Sequence, residues 1–122
     1  MTQTDAAPDA APDAAYEAKL RTDFAGQSRD DVLRDYREML RIRRFEEAAA
    51  RAYTRGKISG FLHLYIGQEA IAIATHQAMQ PGDRVVSTYR THGFALALGS
   101  SPGACAAELF GKATGLVGGV GG

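Results

Sequence analysis

Arg84-Val-Val-Ser-Thr88, followed at once by Tyr89-Arg-Thr-His-Gly93, is the stretch on which the fold reading turns. Two β-branched residues at the centre of the first segment and a third at its end suit a pleated backbone. The turn Gln80-Pro-Gly-Asp83 in front of it stops any preceding helix. Arg84–Thr88 therefore reads as a short strand, and Thr91 to Leu98 behind it as a helix. One strand cannot form a sheet, because its amides and carbonyls need a neighbouring ladder. The expected fold class is α/β: the opening of a larger domain, mostly helical in this part.

Upstream, Gln68 to Met79 reads as a helix with Ala70, Ile71, Ala74 and Ala78 as a narrow apolar face. Lys57 to Gly67 is short and bounded by glycine, so it reads as an irregular or extended connector. Before it lies the strongest helical signal. Ser28 and Asp31 form a capping-box variant, and Val32, Leu33, Tyr36, Met39, Leu40 and Phe45 recur at three- and four-residue steps. Ala48, Ala49, Ala50 and Ala52 carry the helix to Tyr53, and Gly56 is a natural stop, about 25 residues in all. Arg34, Arg37, Glu38, Arg41, Arg44 and Glu47 read as its solvated face. Residues 5–15 repeat Asp, Ala and Pro with nothing large to bury, so 1–27 is expected to be a disordered leader and 28–122 the folded part.

Downstream, Ser101-Pro102 supplies an N-cap and an N1 proline for a last helix ending at Gly111. The stretch Gly115-Leu-Val-Gly-Gly-Val-Gly-Gly122 completes neither G-x-G-x-x-G nor G-x-x-x-x-G-K-[ST]. It reads as a flexible loop, cut off part-way.

Composition narrows the functions. A chain of 122 residues holds one domain at most. Its 14 Lys and Arg balance 14 Asp and Glu, so net charge draws it neither to nucleic acid nor to an anionic membrane. The lone Cys105 excludes an internal disulfide, and three His leave no zinc-ligand spacing. No apolar run approaches the roughly 20 residues that span a bilayer. The N-terminus has neither signal-peptide nor transit-peptide character, which makes the cytoplasm the expected location.

Three segments combine glycine with polar residues. In Gly60-Phe-Leu-His63 an imidazole is either presented to a cavity for hydrogen bonding and proton transfer, or half-buried and satisfied by backbone. In Tyr89-Arg90, just after the expected strand, a guanidinium and a phenol either grip a phosphate or carboxylate, or tie down the strand end. Glu69, in a first helical turn, is explained by the helix dipole alone. Cys105 has no cation nearby to activate it and reads as a buried thiol.

Tyr36-Arg-Glu-Met-Leu-Arg-Ile-Arg-Arg-Phe-Glu46, Gly60-Phe-Leu-His-Leu-Tyr-Ile-Gly-Gln-Glu-Ala70 and Thr88-Tyr-Arg-Thr-His-Gly93 together closely resemble the pyruvate dehydrogenase alpha-subunit family of thiamine-diphosphate-dependent 2-oxoacid dehydrogenases. The resemblance runs from Val32 to Gly122. It implies a thiamine-diphosphate-binding fold and the decarboxylation of pyruvate, with the acetyl group passed to a lipoyl carrier. It implies that Tyr89 and Arg90 contact the cofactor's diphosphate and border the substrate, that His63 is the active-site histidine, and that Phe61 lies beside it. The implied partners are a beta subunit, in a heterotetramer, and a lipoyl-bearing acyltransferase. Branched-chain relatives usually show Gly-Glu-Glu-Ala where this chain has Gly67-Gln-Glu-Ala70. Acetoin dehydrogenases tend to show His-Arg-Gly-His-Gly where it has Tyr89-Arg-Thr-His-Gly93, so pyruvate is the expected substrate. The family's Gly-Asp-Gly segment, which holds magnesium, falls beyond residue 122. The chain is thus expected to be an N-terminal fragment, inactive as it stands. The rival expectation is a non-catalytic helical interaction module or an inert gene remnant.

Overall fold

The computed structural model describes residues 26–121, together with Ala14, Ala15 and Ala18. The expected leader, 1–27, falls almost wholly outside the described residues. Four helices make up the regular structure of 26–121: α1 Arg29–Thr54, α2 Glu69–Ala78, α3 Thr91–Ala97 and α4 Pro102–Leu109. None is long and apolar enough to cross a membrane. The chain divides after Arg34 into two units.

The N-terminal unit carries the start of α1, and its capping box forms as the sequence dictates. The Ser28 backbone N–H and hydroxyl both donate to the Asp31 carboxylate, at 3.1 and 2.6 Å. In return the Asp31 N–H donates to the Ser28 hydroxyl at 3.2 Å. The Ser28 hydroxyl bond, with Arg34 behind it, holds the Asp31 carboxyl below the usual aspartate range.

The second unit, Asp35–Gly122, holds the core. Its α1 segment buries Ile42, Glu46 and Ala49, with Met39 and Phe45 partly covered. Tyr36 and Leu40, expected in the apolar stripe, are exposed. The helix ends where Gly56 permits it. With φ at +65°, the Gly56 and Lys57 amides turn back to the carbonyls of Tyr53 and Ala52. The charged face is only partly a solvated one. Arg44 pairs with Glu47 on the surface, whereas Arg41 reaches across to the Leu96 carbonyl at the end of α3, at 2.8 Å.

The connector 57–67 is irregular, as expected, and delivers Ile58 and Tyr65 to the interior. The main cluster gathers Ile42, Tyr65, Ala72, Ile73, Leu96, Ala97 and Cys105. A smaller one joins Ala49, Ile58 and Leu109. Helix α2 packs on α3, and α3 on α4. Gly93 makes the α3 contact possible, because a β-carbon there would overlap the Tyr65 ring.

Four expectations need correction. First, no strand forms among the described residues: 84–87 is irregular, and Val86 is 97% exposed. A segment without a neighbouring ladder is not a strand, so the α/β class is not realised within these residues. Second, α2 turns its other face inward. Glu69, Ala72 and Ile73 are buried, while Ile71 of the expected face is 57% exposed. The Glu69 carboxylate sets this rotation, because it bonds Arg43 of α1 at 2.6 Å and the Gly67 amide at 3.0 Å. Third, Pro102 opens α4 as expected, but the Ser101 hydroxyl makes no capping bond.

The fourth concerns the glycine-rich stretch, which is organised around one carboxylate. Glu108 accepts the backbone N–H groups of Val117, Gly119 and Gly121 at 2.9, 2.9 and 2.6 Å. Those amides, Val117 first, outweigh burial and hold the Glu108 carboxyl below the ordinary range. Glycine content alone suggested slack; the acceptor that gathers it lies several residues upstream.

Candidate functional site

The strained residue of the molecule marks the site. Arg90 has φ 64° and ψ 24°, the one left-handed residue other than glycine among those described. An L-residue with a β-carbon costs about 1–2 kcal/mol in that region, and such strain persists only where the surroundings enforce it. The turn it makes joins the irregular 84–87 segment to α3. The Arg90 guanidinium carbon lies 5.1 Å from the centre of the Tyr89 ring. Its Nε is buried with no hydrogen-bond acceptor among the described residues. A buried guanidinium N–H left unmatched is costly, so an acceptor supplied from outside would be favoured there.

Tyr89 is 60% exposed, and its ring centre lies 5.0 Å from that of His63, inclined at 52°. The connector and the turn before α3 thus bring His63, Tyr89 and Arg90 into one row. Phe61 stands apart. It is 93% exposed, on the rim of a concavity lined by Ile58, Gly60, Leu109, Phe110 and Val120.

Behind the row lies a carboxylate that sequence reasoning passed over. Glu46 is fully buried on α1. Its Oε2 accepts the Tyr65 backbone N–H at 3.0 Å and lies 3.1 Å from His92 Nε2, which is 2.9 Å from Oε1. A carboxylate oxygen that accepts at this contact takes its hydrogen from Nε2. Both residues stand inside the motifs quoted above, but neither had a role. The available signal was an acid on the buried line Ile42, Glu46, Ala49.

Glu69 anchors the other end of the connector. Burial pushes its carboxyl up, but the bonds from Arg43 and the backbone amides win, and it titrates below the ordinary glutamate range. The Tyr65 phenol is pushed up, by burial first and then by the Glu69 charge.

Residues 37–121 match the model of the family described as dehydrogenase E1 component. The chain belongs to that family. The segments carrying His63, Tyr89, Arg90, Glu46 and His92 all fall within the matched residues. Among individual E1 proteins, the chain is 50% identical over 107 residues to the "Pyruvate dehydrogenase E1 component subunit alpha" of Rhizobium meliloti (strain 1021), covering 84% of this chain and 31% of that protein. It is 52% identical over 95 residues to the protein of the same name from Zymomonas mobilis, covering 77% and 27%. A probable mitochondrial alpha subunit from Caenorhabditis elegans is 47% identical over 95 residues, covering 78% and 24%. The E1 chain described here therefore spans less than a third of the length of these relatives.

Proposed function

We propose that this E1 chain is part of a pyruvate dehydrogenase alpha subunit, in which His63, Tyr89 and Arg90 form one wall of a thiamine diphosphate and pyruvate site. The observation that carries the reading is the Arg90 turn: a buried guanidinium donor without an acceptor, held in a strained conformation beside an exposed phenol and an imidazole. These donors suit a diphosphate. Arg90 offers charge-assisted bonds to phosphate oxygens, and the Tyr89 hydroxyl adds one more. When bound, the cofactor supplies the nucleophilic carbon and the electron sink for decarboxylation. His63, beside Tyr89, would hydrogen-bond the carbonyl or carboxylate of pyruvate, with Phe61 on the substrate side once the subunit is complete. Magnesium, which takes carboxylate and carbonyl oxygens, would be held elsewhere in the subunit. A beta subunit would close the site, and a lipoyl-bearing acyltransferase would receive the acetyl group.

Three variants of the full-length subunit, assembled with its beta partner, separate the roles. Arg90→Ala should weaken thiamine diphosphate binding about ten- to a hundredfold, because a charge-assisted bond to the diphosphate is lost in every state. Arg90→Lys should recover part of that loss, since an ammonium lacks the two-pronged grip. His63→Ala should lower turnover at saturating cofactor and leave cofactor affinity nearly unchanged. Calorimetry and pyruvate turnover read both. If neither Arg90→Ala nor His63→Ala differs from wild type, the proposal fails.

A further inference from the structure

We infer that Glu46 and His92 form a positioning pair that sets His63 against Tyr89 and Arg90, an inference that rests on the site proposed above. Glu46 joins two segments that lie far apart in sequence. Through its bond from the Tyr65 amide it holds the connector, two residues beyond His63. Through His92 Nε2 it holds the first turn of α3, two residues beyond Arg90. The tips of these two segments are the rings that meet 5.0 Å apart. The two segments are thus referred to one fully buried group on the longest helix of the molecule.

A carboxylate is a poor choice for this place if packing is the only demand. Burying it incurs a large desolvation penalty, and apolar residues of similar volume often stabilise a core as well or better. What a carboxylate adds is direction: two oxygens with fixed lone pairs, one of them taking donors from both segments. The left-handed Arg90 needs such enforcement, because an unconstrained arginine would relax toward the right-handed region. His92 provides it two residues away, and Gly93, seated on the Tyr65 ring, packs the same two segments together. Neither Glu46 nor His92 belongs to the His63, Tyr89, Arg90 row. Their effect reaches substrate and cofactor through their neighbours.

The test uses the full-length subunit with its beta partner and compares His92→Leu, His92→Gln, Glu46→Gln and Arg90→Ala. Each is measured for thiamine diphosphate affinity by calorimetry, for pyruvate kcat and KM at saturating cofactor, and for helical circular dichroism. His92→Leu removes the donor and should weaken cofactor binding and lower kcat by about tenfold each, as displacements of well under an ångström do at such sites. His92→Gln keeps an N–H where Nε2 stands and should recover most of both. Glu46→Gln keeps the volume but places a donor against a donor, so it should behave like His92→Leu. If Arg90→Ala leaves cofactor affinity unchanged, the site proposal itself is wrong. If Arg90→Ala weakens binding while folded His92→Leu and Glu46→Gln match wild type, the positioning inference alone is overturned. It is overturned too if His92→Gln recovers nothing, or if these variants yield only unfolded protein, since the pair is then purely structural.

Discussion

At Gly93 the α-carbon hydrogen faces the Tyr65 ring, and any β-carbon would occupy the ring's own space. Gly93→Ala gains helix propensity but must displace a buried aromatic that also packs edge-on against Phe94, with ring centres 5.6 Å apart. The steric effect is the larger, and the variant should lose about 1–3 kcal/mol in urea unfolding. Acid acts on different residues. Glu69 and Glu108 both titrate lower in the folded chain than in the unfolded one. Each therefore contributes stability that is fully present above the ordinary glutamate range near 4.3 and lost as pH falls through its depressed value. Denaturation midpoints should be flat from about pH 7 to about pH 5 and fall below about pH 4, and Glu69→Gln should flatten part of that fall. A midpoint that rises on acidification would contradict the assignment. Glu46 and His92 show why some residues are silent in a sequence. An acid on a helix reads as a wet charge, and its partner is 46 residues away. The spacing of His63, Tyr89 and Arg90 among glycines and polar residues was legible; their meeting in space depends on that distant pair.

The helices themselves were read from local rules, and local rules set their limits. The capping box of α1, its glycine stop and the proline start of α4 are decided by residues within one turn, and each forms where the sequence puts it. The rotation of α2 is not local. Its alanines and isoleucines offer two apolar faces, and the choice between them falls to Glu69, whose ion pair with Arg43 lies 26 residues away in sequence. That choice can be measured. Ile73→Ala should cost about 2–5 kcal/mol, as for other large-to-small changes in a core. Ile71→Ala, on the outward face, should stay within about 0.5 kcal/mol of wild type in the isolated chain. Equal losses at the two positions, read from urea midpoints, would restore the face expected from periodicity. Residues 84–87 make the same point for strands. β-Branched residues favour a pleated backbone, but only a partner can supply a ladder.

For the whole molecule the decisive fact is how one-sided the row of His63, Tyr89 and Arg90 is. Tyr89 and His63 are exposed, and the irregular segment leading to Tyr89 leaves Val86 almost fully exposed. The chain covers 31% and 27% of the Rhizobium meliloti and Zymomonas mobilis relatives. A diphosphate carries two or more negative charges and is held tightly only when donors and a metal surround it. One arginine and one phenol on an open wall compete poorly with water, because a charge-assisted bond in high dielectric contributes little. We therefore predict that the 122-residue chain alone binds thiamine diphosphate with magnesium no tighter than millimolar and does not decarboxylate pyruvate. Calorimetry with both added is the measurement. The same experiment on a subunit of the relatives' length, paired with its beta partner, should show tight binding that depends on Arg90. A micromolar dissociation constant for the short chain would mean that the Arg90 turn, with the Glu46–His92 pair behind it, encloses a diphosphate by itself, and the open-wall reading of the site would have to be abandoned.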